Sequence, residues 1–344
     1  MKFSNKNIAL ISALSSLFLS ANAQACATCG CSLSSDGALG YGTSNGWGIS
    51  VDDSFINQNQ LRSGTGTVTP QQVQAIAGQE LENQTINRYL TVGISYTAGS
   101  DWNFKLSLPY IDRSHTTYGT DATLPLTSSQ LSGATASGLG DIKFVASYQG
   151  FLPTKNLGVQ IGVKLPTGNY GGASDDQDAA GRNPVKFGPT GNSASTYLDT
   201  SLNVGNGSTD LILGSYYFQP VSQDFDAFID GQYQFSVKRE LDQTGSDFHP
   251  GDQFNLSVGL RYEANPQIVP QLQINLTHKT ADTGALADTI GTAGTVAYLS
   301  PGVTMNAMKN TQVYAFMQVP VYSNLSGYQI FPRYTASVGM SYHF

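Results

Sequence analysis

The sequence predicts an all-β fold: a transmembrane, antiparallel, up-and-down barrel of about twelve strands, with long external loops and short periplasmic turns. Three observations predict it. Only 12% of the 344 residues are charged, yet mean hydropathy is −0.17, and past the first 20 positions no apolar run approaches the roughly 18 residues of a helical span. Apolar and neutral polar residues alternate along segment after segment, the period of a strand with two different faces. The links between those segments alternate between long and short, as they do in bacterial barrels.

The amino terminus sets the compartment. Lys2 and Lys6 precede the apolar stretch from Ile8 to Leu19, and the small residues Ala21 and Ala23 follow it. This is a secretory signal peptide over residues 1–23 with cleavage after Ala23. Residues 24–44 then form a periplasmic amino-terminal segment, and residues 45–344 form the barrel. The full chain carries a formal charge of −7, and loss of two lysines makes the mature chain more acidic. Without a basic patch it is not a nucleic-acid binder.

The segment 24–44 holds the three cysteines, Cys26, Cys29 and Cys31, in a C-x-x-C-x-C spacing. Three thiolates at this spacing suit one copper or zinc ion, or one disulfide with a thiol left over. An oxidising periplasm favours the disulfide. Lipid attachment at Cys26 is a further reading, although Ala23-Gln24-Ala25 makes a poor lipobox. No other cofactor is called for.

The strands are expected near 45–57, 85–98, 101–113, 138–151, 155–166, 206–219, 224–238, 251–264, 267–280, 295–306, 311–322 and 331–344. The alternation is clearest in Trp102 to Leu108, Leu157 to Leu165 and Phe254 to Tyr262, where Leu, Ile, Val, Phe or Tyr face one way and Gly, Ser, Asn or Gln the other. Such strands match the about ten tilted residues that cross a bilayer. Long loops are expected over 58–84, 114–137, 167–205, 239–250, 281–294 and 323–330. In the first of them, Pro70 to Glu82 carries Val73, Ile76 and Ala77 at helical spacing and reads as a short helix. Aromatic residues such as Trp47, Tyr96, Trp102, Tyr110, Tyr148, Tyr217, Tyr262 and Tyr322 mark strand ends, as in an interfacial girdle. The chain closes on an alternating stripe, Tyr334, Ala336, Val338, Met340, Tyr342 and Phe344. This stripe resembles the terminal strand of bacterial outer-membrane proteins, which the assembly machinery reads, and the resemblance implies the outer membrane of a Gram-negative bacterium.

Four strings occur in order: LPY (108–110), SGLGDIKF (137–144), KLPTG (164–168) and GNGSTDLILGSYY (205–217). With the closing VGMSYHF they resemble an outer-membrane β-barrel family labelled as transporters of the meta-cleavage pathway of phenol degradation. The resemblance spans most of residues 85–344. It implies a barrel and passage of small, often hydrophobic or aromatic, molecules.

Strand parity gives the lumen. Lys105, Lys143, Lys164, Asp226, Asp230, Gln232, Gln234, Arg261, Gln271, Gln273, Tyr314, Phe316, Gln318 and Arg333 point inward, so both signs of charge occur. Asp141 and Asp210 also face away from lipid, where a charge is costly. They either pair with Lys143, Lys164 or Arg261, or guide a substrate. Tyr314 and Phe316 form an apolar slide or close the lumen by packing. No nucleophile elbow, phosphate loop or zinc HExxH motif is present, so no enzyme is expected. The expectation is an outer-membrane channel for passive passage of small hydrophobic or aromatic solutes, gated by the first loop or the amino-terminal segment. A metal-related barrel using the cysteine triad is the alternative.

Overall fold

The computed structural model describes Leu33, Thr123 and residues 45–76, 81–118, 125–170 and 202–344. The expected signal peptide and Cys26, Cys29 and Cys31 lie outside the described residues. Alternating sequence yields strands β1 (Gly46–Gly64), β2 (Gly66–Thr67), β3 (Glu82–Ala98), β4 (Trp102–Thr117), β5 (Ser132–Leu139), β6 (Ile142–Tyr148) and β7 (Leu157–Leu165). They are followed by β8 (Ser208–Pro220), β9 (Phe225–Arg239), β10 (Gln253–Tyr262), β11 (Ile268–Lys279), β12 (Gly294–Met308) and β13 (Thr311–His343).

These thirteen strands make one antiparallel sheet in sequence order, and β13 returns to pair with β1. The closing ladder runs from Gly48 opposite His343 to Gly64 opposite Leu325. The β13–β1 pairing closes the wall, as the bilayer requires, and only β2 and β5 among the described strands pair on one side alone. Three departures from one-strand-one-stave reconcile the count. β2 is a two-residue curl on the end of β1. β5 and β6 share one position beside β4, pairing with Tyr110–Thr117 and Trp102–Ser107 respectively, with a break at Gly140–Asp141. β13 doubles back, because the His343 N–H donates to the Asn310 carbonyl at 2.9 Å. Its first arm pairs with β12 and its second with β1. Twelve staves therefore surround the lumen.

The doubling corrects the long loop expected over 323–330. Both arms stay in the sheet almost to the turn, where Gly327 has φ 58°, a left-handed conformation open to glycine. Val296, Tyr298, Leu325 and Phe331 form a buried cluster across these arms, and Arg62 lies over the Phe331 ring at 5.1 Å. Burying that apolar surface extends the hairpin into what turn composition alone reads as loop. The helix of the first loop, α1, is shorter than its sequence spacing suggests, covering Pro70–Gln74. Thr69 and Gln72 form a reciprocal capping box that satisfies two orphan backbone groups, and Val73 is fully buried.

The outward face is apolar. Val51, Leu90, Ile161, Leu213, Ile229, Leu260, Ile274, Val338 and Met340 are all exposed there. At the short-turn end the rings pair up: Trp47 with Tyr96 and Trp102 with Tyr148, both at 4.8 Å, and Phe225 with Tyr262 at 5.0 Å. Such a girdle suits the bilayer interface. One ion pair also lies on this face. Asp53 sits between outward Leu90 and Val338 in the ladders, and Arg88 reaches it at 2.6 Å.

Ser54 and Ser337 face each other across the closing seam, Oγ to Oγ at 3.0 Å. A Ser54→Cys, Ser337→Cys double variant is expected to form the disulfide on mild oxidation, seen as a reducible mobility shift of the unfolded chain. Two thiols that stay free in the folded protein would show that β1 and β13 do not meet.

Candidate functional site

The lumen holds two cavities stacked along the barrel axis. The lower one, at the short-turn end, has a volume of about 520 Å³ and includes Lys105, Gln160, Tyr216, Asp226, Arg261 and His343 in its wall. The upper one, of about 470 Å³, includes Leu33, Lys105, Arg113, Asp141, Lys143, Lys164, Asp210 and Tyr314. Ser50, Gly93 and Lys105 belong to both walls, so the cavities meet at that level. Lys105 is thus the charged side chain common to the two chambers. In the lower chamber Arg261 pairs with Glu263 at 3.1 Å. Burial pushes the Glu263 carboxyl above its ordinary value, against the pull of Arg261.

The wall of the upper chamber is held by an ion network built from three strand ends. Lys164, at the end of β7, lies 3.2 Å from Asp141 and 3.0 Å from Asp210, and its side chain is only 4% exposed. It also donates to Asn206 and to the Ser208 hydroxyl. Asp141 fills its remaining valence from backbone, accepting from the Gly168 N–H at 3.0 Å and the Asn206 N–H at 3.2 Å. Asp210 accepts from the Gln234 amide at 2.6 Å, and the same Gln234 accepts from Lys143 at 3.2 Å. The three strings SGLGDIKF, KLPTG and GNGSTDLILGSYY therefore converge on one spot. Their glycines permit this. A Cβ on Gly205 would lie 2.5 Å from the Gly168 carbonyl oxygen, and one on Gly140 would lie 2.9 Å from Ile111. Only bare backbone fits there.

The other residues singled out from sequence are dispersed. Tyr314 and Phe316 are buried, packed together with Leu33, and the Tyr314 hydroxyl donates to Asp52. Asp226 lines the lower cavity. Asp230 shares the inward parity of Asp226 and the buried Phe228 but lines neither cavity. Arg333 is exposed and lines neither. It lies beside a register shift in the β1–β13 ladder, where a simple parity count is interrupted. Among the described residues no group of three or more His, Cys, Asp or Glu could hold a metal.

Sequence reasoning missed several participants. Arg113 donates to Asn87, Tyr89 and the Asn203 carbonyl, and Asn87 donates to Gln58 at 2.6 Å, forming a second buried network above the first. The signal was available, since Arg113 falls on the inward parity of β4 with Lys105. The contact of Leu33 with Tyr314 and Phe316 had no such signal. It places one residue of the 24–44 segment inside the barrel, against the lumen wall.

By fold and by the distribution of its apolar surface, the chain is an outer-membrane β-barrel of a Gram-negative bacterium. Residues 185–325 match the family described as "Putative MetA-pathway of phenol degradation", which bears out the resemblance over that stretch, less than half of the chain. No curated protein matches. Among solved structures, the chain is similar to an outer membrane channel from Pseudomonas putida F1, at 11% identity, 88% of this chain, 97% of that one and a TM-score of 0.58. It also aligns with the β domain of the Bordetella autotransporter BrkA, at 12% identity, 88% and 100% coverage and a TM-score of 0.45. The Ralstonia pickettii toluene transporter TbuX aligns at 12% identity, 88% and 90% coverage and a TM-score of 0.41. The last two are too distant to bear on the argument, and the first speaks to fold.

Removing one member of a buried ionic network leaves its partners charged and unpaired, which costs about 3–5 kcal/mol. Lys164→Ala is expected to lower barrel stability by roughly that amount, read as the urea midpoint of the heat-modifiable folded band. A midpoint equal to wild type would show that the network bears no load.

Proposed function

We propose that this barrel is a channel through which small hydrophobic or aromatic solutes cross the outer membrane passively. The observation that carries the reading is the pair of stacked cavities meeting at Ser50, Gly93 and Lys105, which run one above the other inside a closed wall. Their lining suits a neutral solute. Serine, threonine, asparagine, glutamine and glycine make up most of the lower chamber's lining, and in the upper chamber charges of both signs stand together, Lys164 with Asp141 and Asp210 and Lys279 with Asp282. A ring of a single charge sign, the usual basis of ion selectivity, is not among the described lining residues. Aromatic side chains (Tyr89, Tyr216, Phe218, Phe228, Tyr314) add apolar wall to both chambers.

The comparisons support this reading. The structure from Pseudomonas putida F1 is titled an outer membrane channel, and the family description concerns degradation of an aromatic molecule. The chain's last residue, Phe344, is 70% exposed at the short-turn end and stacks edge-on against Tyr342 at 5.0 Å. We read this outward stripe as the part that docks to the outer-membrane assembly machinery.

Gram-negative cells expressing the chain are expected to take up radiolabelled toluene several-fold faster than cells without it, with no matching rise for a sugar. An uptake rate equal to that of the control cells, with the folded barrel present in the outer membrane, would overturn the reading.

A further inference from the structure

One row of the lumen wall sets two cations face to face. Ser107 of β4 stands opposite Lys143 of β6, Lys143 opposite Lys164 of β7, and Lys164 opposite Asp210 of β8. Like charges directly opposite in a ladder are destabilising. The wall compensates only one of the two. Lys164 is held between Asp141 and Asp210 and is withdrawn from the chamber. All four oxygens of those carboxylates are engaged. Asp141 takes the Gly168 and Asn206 N–H groups together with Lys164, and Asp210 takes the Ser208 hydroxyl and the Gln234 amide together with Lys164. Of the other carboxylates in this wall, Asp282 pairs with Lys279 at 2.9 Å and Asp52 accepts from the Tyr314 hydroxyl.

Lys143 differs from Lys164 on each count. It is exposed and lines the upper chamber. Its hydrogen bond goes to a neutral acceptor, the Gln234 side-chain carbonyl at 3.2 Å, and among the described residues no carboxylate forms an ion pair with it. An ammonium group carries three donors, so Lys143 keeps donors for what enters the chamber. Lys105 adds positive charge on the same side. It lies on β4 two residues from Ser107, diagonal to Lys143, and lines the same chamber. Pro109 and Ile111, further along β4, and Val204 supply an apolar flank to that chamber. Its volume of about 470 Å³ falls within the range of small-molecule sites. A neutral side chain at position 143 would remove the like-charge contact, and local choices that work against stability concentrate at functional sites.

We propose that the upper chamber binds small organic monocarboxylates, with Lys143 holding the carboxylate and the flank of Pro109, Ile111 and Val204 receiving the hydrocarbon body. One ammonium suits one negative charge, and Asp141 and Asp210 in the same wall disfavour a second. The site rests on the channel reading for access to the chamber and goes beyond it by adding an anionic class of solute.

Equilibrium dialysis of the purified full-length barrel in an uncharged detergent, with benzoate and its neutral counterpart benzamide as probes, tests the site apart from transport. Wild type is expected to bind benzoate about tenfold more tightly than benzamide, the size of a hydrogen bond to a charged group. Lys143→Met, which keeps most of the side chain's length, is expected to lose that preference, and Lys143→Arg to keep it. Lys143→Gln serves as a second neutral variant, and the heat-modifiable mobility shift reports folding of each. Equal binding of the two probes by wild type would overturn the site, and so would a preference unchanged in a folded neutral variant. Binding of neither probe by wild type would also overturn it. The toluene uptake assay is independent of these outcomes, so a failed carboxylate site leaves the channel reading to its own test.

Discussion

Every other feature of this molecule depends on the ladder between β1 and the returning arm of β13. In hydrocarbon an unpaired backbone group has no water to turn to, so an open edge at this seam would be untenable. The ladder, from Gly48–His343 to Gly64–Leu325, makes the sheet continuous and gives it an inside. Closure divides each strand's alternation into a lipid face and a lumen face. It also forces an even number of staves if both ends of the barrel are to emerge on the same side, and the Phe344 N–H donates to the Trp47 carbonyl at that end.

The Asp141–Lys164–Asp210 network stands where this backbone rule is locally relaxed. The stave shared by β5 and β6 breaks at Gly140–Asp141, and the strands on either side are bound by side chains. Charge burial normally costs more than the ion attraction returns. Here the Asp141 carboxylate also accepts two backbone N–H groups and Asp210 accepts an amide, which is the condition under which buried charge becomes tolerable. The network thus does for the wall what regular pairing does elsewhere, and it keeps the Lys164 charge compensated.

Much of this was legible in the sequence, for reasons that differ by residue. Stave number, the identity of the lipid face and the inward placement of Lys105, Lys164, Gln273 and Gln318 follow from a period of two, which closure preserves. The pairing of Asp141 and Asp210 with Lys164 was one of the alternatives the sequence left open, because parity gives a direction but not a height along the barrel. Height comes from register, and register comes from the short turns and bulges. Arg333 shows the limit, lying where a register shift between Ile56 and Gln58 interrupts the count. The extension of β13 through residues 323–330 was hidden because the apolar cluster that draws it out comes from residues far apart in sequence, Val296 and Tyr298 against Leu325 and Phe331. The contact of Leu33 with Tyr314 and Phe316 is tertiary and leaves no periodic trace.

The central claim is that solutes cross through the lumen at the level where the two cavities meet. Lys105 lines both, so a Lys105→Cys variant, in a chain whose Cys26, Cys29 and Cys31 are serine, puts a single thiol at the junction. Complete labelling of that thiol with a bulky reagent should reduce toluene uptake to the level of cells lacking the barrel. Uptake that continues unchanged after complete labelling would contradict the account, because the solute would then be taking another route.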